Sequence, residues 1–342
     1  MTEKTYRKAL NEALVQAMRA SDKVYLIGED IGVYGGGFGV THGLIEEFGF
    51  ERVREAPISE SAIAGICVGS AMMGMRPIME LHFSDFITIA MDQIVNQAAK
   101  IHYMNNGNVT VPMVIRAPFG TGTGAGAQHS QSLESWFTHI PGLVVIEPSN
   151  AYDAKGLLLS AIKDENPVIF FEHKMLYDEV MEVPDEKYLL PIGVADIKRV
   201  GSDATIIATA QMVNQSLLAA KRLALQGISV EVVDPRTLMP LDKKTLIASA
   251  TKTGRVLIVT EEVKASGFGA EIAAMLAESS AFHSLKMPIK RIGAAFTPTP
   301  VVEVLEKASV PQVSDILLAV EQLTKDTKYI TRLRKRYFTK AF

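Results

Sequence analysis

The stretch LVVIEPSNAYDAKGLLLSAIKDENPVIFFEH, residues 143–173, has the pattern of a strand, a helix and a second strand. Its two ends, LVVIEPS (143–149) and PVIFFEH (167–173), are short runs rich in β-branched and aromatic residues, which favour strands. Between them, AYDAKGLLLSAI (151–162) predicts a helix. Strands joined through a helix are typical of parallel pairing, so this stretch predicts an α/β fold.

The same alternation extends towards the N-terminus. Three further strands are predicted at VYLIGED (24–30), RPIMEL (76–81) and VTVPMVIRAP (109–118). Helices are predicted at residues 4–20, at SAIAGICVGSAMMGM (61–75), which looks fully buried, and at FSDFITIAMDQIVNQAAKI (83–101). The last has the clearest helical period in the chain, with one face formed by Phe86, Ile89, Ala90, Ile94, Ala98 and Ile101. We therefore predict an α/β domain with a largely parallel sheet over residues 1–185.

A second, smaller α/β domain is predicted over residues 201–325. Residues 174–200 are charged and show no period, and we predict a linker at 186–200. After it, strands are predicted at TIIATA (205–210), ISVEVVD (228–234), VLIVTEE (256–262) and IKRIG (289–293), with helices at about 212–225, 242–252 and 267–279. Residues 326–342 form a predicted basic tail, with five basic residues in the last twelve.

The composition excludes several classes of protein. A chain of 342 residues with 48% hydrophobic and 21% charged residues is typical of a soluble two-domain protein. A net charge of −3 gives no general reason to bind nucleic acid or an anionic membrane. The single cysteine, Cys67, excludes an internal disulfide and a cysteine-built metal site. We find no signal-peptide pattern at MTEKTYRKAL and no apolar run of about 18 residues, and expect a cytoplasmic protein with no membrane span.

The glycine-rich segments do not form the usual phosphate loops. GVYGGGFG (32–39) does not satisfy G-x-G-x-x-G, because Val40 stands where the last glycine is needed. Neither G-x-x-x-x-G-K-[ST] nor G-x-S-x-G occurs in the sequence. A nucleotide-dependent oxidoreductase is therefore disfavoured, and a serine hydrolase has no support.

Three sequence features can each be explained either by a structural role or by a functional one. His129 follows the small-residue run GTGTGAGAQ (120–128) and is either a solvated loop residue or a titratable group where the backbone passes close to a ligand. Glu60 opens a helix, and is either a first-turn acid placed for the helix dipole or a functional carboxyl group at the edge of a core. Asp164 and Asn166 at a helix end suit a turn, but carbonyls converging there also hold monovalent cations.

Several motifs together resemble one family. APISESAIAGI (56–66), AQHSQSLESWF (127–137) and VEVVDPRTLMPLD (230–242) resemble the β subunit of the thiamine-diphosphate-dependent first component of 2-oxo acid dehydrogenase complexes. The resemblance covers roughly residues 4–325 and includes pyruvate, branched-chain 2-oxo acid and acetoin dehydrogenases. GVYGGGFGVTHGL (32–44) is most similar to the acetoin and bacterial pyruvate branches. The family fold is a transketolase-like pyrimidine-binding domain followed by a transketolase C-terminal-like domain.

The resemblance implies roles for residues at the cofactor. Glu60 matches the glutamate that contacts N1′ of the aminopyrimidine and drives its tautomerisation, so that the 4′-imine removes the proton from thiazolium C2. Phe86 matches the aromatic residue against the pyrimidine ring, and Ile58 a residue beside that ring. Glu29, or Asp30 beside it, matches an acid that faces the cofactor cavity.

His129 matches the family histidine near the carbanion centre, which handles the reacting oxygen and the lipoyl group. Because the run before His129 offers almost no side-chain anchors, we expect its order to depend on a partner subunit and the cofactor. The resemblance also implies a structural potassium ion held by oxygens of Met113, Ala161, Ile162, Asp164 and Asn166.

The diphosphate and Mg²⁺ motif of thiamine enzymes, a GDG followed by an asparagine, does not occur in this sequence. In the resembled family it lies on an α subunit, and the cofactor bridges the two chains. The resemblance therefore implies an α2β2 heterotetramer, inactive as β chain alone, that serves a lipoyl-bearing acyltransferase. Two alternatives stay open, a branched-chain 2-oxo acid dehydrogenase β subunit and a non-catalytic scaffold subunit of the same fold.

Overall fold

The structure is a computed structural model and describes residues 1–325; the predicted basic tail, 326–342, lies outside the described residues. The described strands are β1 (Thr2–Thr5), β2 (Val24–Gly28), β3 (Val53–Glu55), β4 (Arg76–Glu80), β5 (Val114–Phe119), β6 (Val144–Ile146), β7 (Val168–His173), β8 (Val180–Val183), β9 (Asp196–Arg199), β10 (Ala204–Ala208), β11 (Val230–Asp234), β12 (Thr237–Met239), β13 (Val256–Val263) and β14 (Lys290–Ala294).

The described α-helices are α1 (Tyr6–Ala20), α2 (Leu44–Phe48), α3 (Glu60–Met72), α4 (Ala99–Met104), α5 (Glu134–Thr138), α6 (Ala151–Lys163), α7 (Ala210–Ala224), α8 (Lys243–Thr253), α9 (Phe268–Ala277), α10 (Glu303–Ser309) and α11 (Val313–Thr324). Short 3-10 segments occur at Ser84–Ala90, Lys174–Leu176 and Ser280–Ser284. A π-helical segment spans Asp92–Ala98. None of the described helices combines the length and apolar character needed to span a membrane.

The N-terminal sheet has seven strands in the order β12-β6-β7-β5-β4-β2-β3. All neighbours are parallel except β12, which pairs antiparallel with β6. One face packs on α1 and α6 through residues such as Leu14, Leu158 and Phe170, and the other on α3 through Cys67 and Ile115. Helices cover both faces of the sheet, and this explains why the sequences of its strands are continuous apolar runs. The predicted parallel α/β sheet is confirmed.

The second sheet has five strands in the order β14-β13-β10-β11-β9. Strands β10, β11, β13 and β14 are parallel, as the alternation in the sequence predicts. Strand β9 pairs antiparallel with β11, so the predicted linker at 186–200 contains a strand of this sheet. The pattern missed it because an edge strand with the sequence DIKR carries one apolar residue and no alternation. The exact domain boundaries stay predictions.

A small two-stranded sheet joins the N-terminus to the end of the first domain. Strand β1 pairs antiparallel with β8, from Thr2 opposite Val183 to Thr5 opposite Val180. The helix predicted over residues 4–20 therefore begins at Tyr6, because Thr5 caps it: the Thr5 hydroxyl accepts from the Lys8 amide at 3.1 Å. Sequence periodicity did not predict this pairing.

The segment predicted as one amphipathic helix over 83–101 is a succession of 3-10, π and α turns. The tighter and wider turns rotate side chains away from the face expected for an α-helix. Ile89, predicted on the buried face, is 55% exposed, whereas Ile87 is fully buried. Ala90, Ile94, Ala98 and Ile101 are buried as expected.

Helix α3 is buried on one face only, which corrects the expectation of a fully buried helix. Ile63, Ala64 and Cys67 lie in the core, while Ile66 is exposed and Met73, just after the helix, is 85% exposed. The small residues nevertheless allow close packing: a Cβ at Gly65 would lie 3.5 Å from Oε1 of Gln93 on the neighbouring segment.

Candidate active site

A buried ion cluster supports the carboxyl-end edge of the first sheet. Arg116 on β5 donates from Nε and Nη2 to the two oxygens of Glu172 on β7, each at 2.7 Å, and from Nη1 to Glu80 at the end of β4. The Tyr177 hydroxyl donates to Glu172 Oε2 at 2.7 Å. Burial raises the pKa of the Glu80 carboxyl, an effect that the Arg116 charge opposes. This cluster fixes the ends of three neighbouring strands from which the surrounding loops leave.

His129 lies against two aromatic rings above this edge. Its ring centroid is 4.7 Å from that of Phe83 and 5.4 Å from that of Phe86, and both ring pairs are nearly perpendicular. Two of the residues singled out in the sequence, His129 and Phe86, are thus in contact although they lie on separate elements. The edge-to-face geometry favours this orientation of the imidazole.

Lys174 also belongs to this site, and sequence reasoning missed it. Its Nζ donates to the His129 carbonyl oxygen and lies 5.2 Å from the centroid of the Phe83 ring. Burial lowers the pKa of this ammonium group from its ordinary value to about 8. Lys174 lies 45 positions from His129 in the sequence, so no local motif connects the two residues.

The small-residue run before His129 is anchored through its backbone, in contrast to the few anchors expected from its side chains. The Thr121 amide donates to Glu261 Oε1 at 2.5 Å. The Gly122 amide donates to Glu306 Oε1 at 2.8 Å, and the Gly124 amide to Glu306 Oε2 at 3.2 Å. Both glutamates come from the second domain, so that domain holds a loop that begins in the first.

Glu261 is held in turn by His173. The His173 Nε2 atom lies 2.8 Å from Glu261 Oε2. Although burial alone would raise it, the charge and hydrogen bond of His173 and the Thr121 amide hold the pKa of Glu261 below its ordinary value. Gly120 has a φ of +91°, and a Cβ there would overlap the His173 ring, so this close approach requires glycine.

Glu60 is the first residue of α3 and is 8% exposed. Helix α3 contacts the 3-10 segment that carries Phe86, so both residues lie on adjoining elements. Ile58, two positions earlier, is 73% exposed in the single chain. A buried carboxyl group and an exposed apolar side chain therefore lie at one end of α3, on a surface that is open in the chain alone.

Glu29 and Asp30 follow β2 and approach His82. The Glu29 carboxylate lies 3.7 Å from His82 Nδ1, and the Asp30 carboxylate 3.9 Å from His82 Nε2. Asp30 has a φ of +53°, an uncommon conformation for a non-glycine residue. Glu29 is half-buried, and the cavity-facing position that the resemblance implies for it stays a prediction.

The residues predicted for a potassium ion lie around the end of α6. Arg76 Nη1 donates to the carbonyl oxygens of Ile162 and Asp164, at 3.0 and 2.9 Å. The Asp164 carboxylate closes a turn by accepting from both the amide and the side-chain nitrogen of Asn166, each at 2.8 Å. Main-chain oxygens thus converge here, while the Asp164 carboxylate is already used.

Met113 and Ala161, the other two residues predicted for that ion, have carbonyl oxygens with backbone partners. The Met113 carbonyl accepts from the Val168 amide at 2.9 Å, and the Ala161 carbonyl from the Asp164 amide at 3.2 Å. A carbonyl oxygen has two lone pairs, so these bonds leave room for a second interaction.

A cavity of about 1330 Å³ opens between the two domains beside the His129 loop. Glu262 lines it, and Glu134 and Glu147 are buried nearby; one oxygen of each carboxyl group has no partner among the described residues. Burial, together with the neighbouring glutamates, raises the pKa of Glu134 and Glu147 well above the usual range, and burial raises that of Glu262 to about 7. Sequence reasoning missed all three, because each lies at the end of an otherwise ordinary strand or helix.

Comparisons with known proteins agree with this architecture. The chain matches the family models "Transketolase, pyrimidine binding domain" over residues 2–179 and "Transketolase, C-terminal domain" over residues 193–316. Among solved structures, a split-gene transketolase described as an inactive beta4 tetramer has a TM-score of 0.77 and 23% identity, over 94% of this chain and 98% of that one. At this identity the likeness shows the fold alone.

Curated relatives are more similar in sequence. The 2-oxoisovalerate dehydrogenase subunit beta of Bacillus subtilis (strain 168) is 46% identical, over 95% of this chain and 100% of the relative. The acetoin:2,6-dichlorophenolindophenol oxidoreductase subunit beta of the same organism is 46% identical, over 92% and 95%. The mitochondrial pyruvate dehydrogenase E1 component subunit beta-2 of Oryza sativa subsp. japonica is 44% identical, over 94% and 86%.

These relatives span almost the whole chain, and both domain models fall on the two sheets described above. The chain therefore belongs to the family of β subunits of thiamine-diphosphate-dependent 2-oxo acid dehydrogenase first components, with the two-domain fold of the transketolases.

Proposed function

We propose that this chain joins an α subunit in an α2β2 enzyme that cleaves acetoin or decarboxylates a pyruvate-type 2-oxo acid and passes the acyl group to a lipoyl-bearing acyltransferase. The observation that carries the proposal is the contact of His129 with Phe86, beside the helix that begins with the buried Glu60. A branched-chain 2-oxo acid is the second candidate substrate, because a 2-oxoisovalerate relative is 46% identical.

The residues present fit one half of thiamine diphosphate. The aromatic rings of Phe83 and Phe86 offer an apolar surface for a pyrimidine ring, and Glu60 offers a buried carboxyl group. We assign the diphosphate and its Mg²⁺ to the α subunit, because this sequence has no GDG motif.

The proposal assigns a role to each residue of the candidate site. The bound cofactor supplies the carbanion chemistry. Glu60 would hold a proton at N1′ of the aminopyrimidine, Phe86 would support that ring with Ile58 beside it, and Glu29 would face the same cavity. His129 moves a proton at the reacting oxygen or at a lipoyl sulfur, because an imidazole both donates and accepts near neutral pH. A scaffold subunit without chemistry would need neither a buried Glu60 nor an oriented His129.

The test of this function is reconstitution. We expect the chain and its α subunit to form an α2β2 complex that binds thiamine diphosphate and turns over acetoin or pyruvate faster than branched 2-oxo acids, while each chain alone is inactive. Native mass measurement, cofactor titration and a panel of these substrates provide the readouts. A β chain that binds the cofactor and turns over substrate alone contradicts the proposal.

The interface can be probed with matched variants. Exposed apolar side chains cluster on and near α3 and α4: Ile58, Ile66, Met72, Met73, Ile89, Tyr103 and Met104. The double change Ile66→Asp and Met73→Asp should prevent assembly, because it places charge in a surface that must be desolvated. Leu225→Asp is the control, since Leu225 is fully exposed on the second domain beyond α7.

We also propose that the carbonyl oxygens at the end of α6 hold a structural K⁺. The proposal rests on carbonyl oxygens that converge at this turn; Arg76 occupies one lone pair of the Ile162 and Asp164 oxygens, and an ion would use the second. The melting temperature of the complex should be higher in KCl than in tetramethylammonium chloride at equal ionic strength, because only the smaller cation fits such a turn. Equal melting temperatures in the two salts, measured by calorimetry, would contradict a structural potassium ion.

The cytoplasmic location of the protein stays a prediction.

A further inference from the structure

We propose that Glu306 of the second domain is a positioning residue for His129, acting through the backbone of residues 121–124. The inference rests on the proposed function of His129, and it extends the active site to a helix of the other domain. Glu306 touches no residue assigned above to the cofactor. Its effect on the chemistry is exerted through the loop alone.

The contact itself is well defined. Glu306 lies on α10 and is 3% exposed. Its carboxylate accepts from the amides of Gly122 and Gly124, two glycines with positive φ values of +102° and +66°. Backbone amides arranged in this way form a concave site for an anion. A carboxylate bound by such amides makes charge-assisted hydrogen bonds, which are about twice as strong as neutral ones.

The geometry leaves the loop little freedom beyond this contact. Glu261 holds the start of the run at Thr121, and Lys174 holds its end at the His129 carbonyl. Residues 125–128 alone separate Gly124 from His129. A displacement at Gly124 is therefore transmitted over a short distance to the imidazole.

The second domain also restricts the loop at residues 121–129 sterically. A Cβ at Gly126 would lie 2.8 Å from Cγ2 of Val301, in the segment that leads into α10. The amide of His129 bonds back to the Gly126 carbonyl at 3.3 Å. The segment around Val301 thus packs over the turn that carries His129, and Glu306 fixes the same turn by charge.

Glu306→Gln is the variant that tests the proposal. The amide keeps the size of the side chain but removes its charge and one of the two acceptor oxygens, so that the amides of Gly122 and Gly124 are left to share one neutral acceptor. We expect amides 121–129 of the assembled enzyme to exchange with deuterium faster in this variant, by about tenfold or more. Turnover should fall by about 10- to 100-fold, the scale of a misplaced catalytic group.

Glu303→Gln is the matched control. It lies on the same helix, is exposed, and pairs with Lys307 four positions later. It should change neither exchange in the loop nor turnover. If loop exchange in Glu306→Gln equals that of the wild type, the proposal is overturned, and this readout is independent of any activity.

A double-mutant cycle separates positioning from general destabilisation. In a His129→Ala background, Glu306→Gln should have no further effect on turnover, because the residue through which it acts is gone. Glu306→Asp keeps the charge and should restore part of the loss. If Glu306→Gln slows both backgrounds equally, Glu306 has only a structural role while the proposed function stands. If the wild-type complex turns over no member of the substrate panel, the proposed function fails and the exchange result still decides the role of Glu306.

Discussion

Replacing Glu60 by glutamine should lower turnover of the assembled enzyme by about 10²- to 10⁴-fold, the usual contribution of a positioned acid or base. Folding and assembly should be unaffected, because glutamine has the same size and Glu60 has no ion-pair partner among the described residues. In its proposed role the Glu60 carboxyl group holds a proton at N1′, and an amide cannot exchange one there. Hydrogen–deuterium exchange at C2 of bound thiamine diphosphate measures the step directly.

A matched control distinguishes this role from a helix-dipole effect. Glu46 stands in the first turn of α2 and is exposed. Glu46→Gln removes a first-turn acid without touching the site, so it should leave C2 exchange unchanged. If Glu60→Gln behaves like Glu46→Gln, Glu60 is placed only for the helix dipole.

Arg116→Met should destabilise the chain by about 3–5 kcal/mol, the cost of removing one partner from a buried ion cluster. Arg116 is fully buried and its guanidinium satisfies both Glu80 and Glu172. Methionine fills part of the volume but leaves two carboxylates facing each other in the core. The free energy of unfolding of the α2β2 complex, measured in urea at fixed protein concentration, gives the size of the effect.

The control for this variant is an exposed pair. Arg19 and Glu47 form an ion pair at the surface, and Arg19→Met should leave the unfolding midpoint almost unchanged, since exposed pairs contribute little. Changing Arg116, Glu80 and Glu172 to apolar residues together should recover much of the loss, because no unpaired charge then remains. A midpoint for Arg116→Met equal to that of Arg19→Met would contradict the importance of the cluster.

Much of the fold could be predicted from local sequence patterns. Strands such as β5 and β7 are covered on both faces and appear as continuous apolar runs, and helix α6 between β6 and β7 shows a helical period. The strands that were missed are short and lie at sheet edges, where polar residues interrupt the pattern. The turns at Ser84–Ala90 and Asp92–Ala98 were also missed, because hydrophobic period does not distinguish 3-10 or π turns from α turns.

The candidate site was predictable only in part, and for a related reason. His129 and Phe86 stand in recognisable motifs, and Glu60 stands at a recognisable helix start. Glu261 and Glu306 reach the loop from 140 and 184 positions away, and their own surroundings show ordinary strand and helix sequence. Contacts of this kind depend on how the two domains pack, which a linear pattern does not encode.

The position of β12 affects whether the N-terminal domain can be produced as a separate fragment. Strand β12 follows the second-domain strand β11 in sequence, yet it covers β6 at the border of the first sheet. A fragment cut in the predicted linker would keep the pairing of β6 with β7 but would leave the backbone groups of Val145 and Ile146 that face β12 without partners, and an uncovered border strand is a template for pairing with other chains. We therefore expect the N-terminal half made alone to self-associate. In the intact chain, β12 covers this border and prevents such pairing.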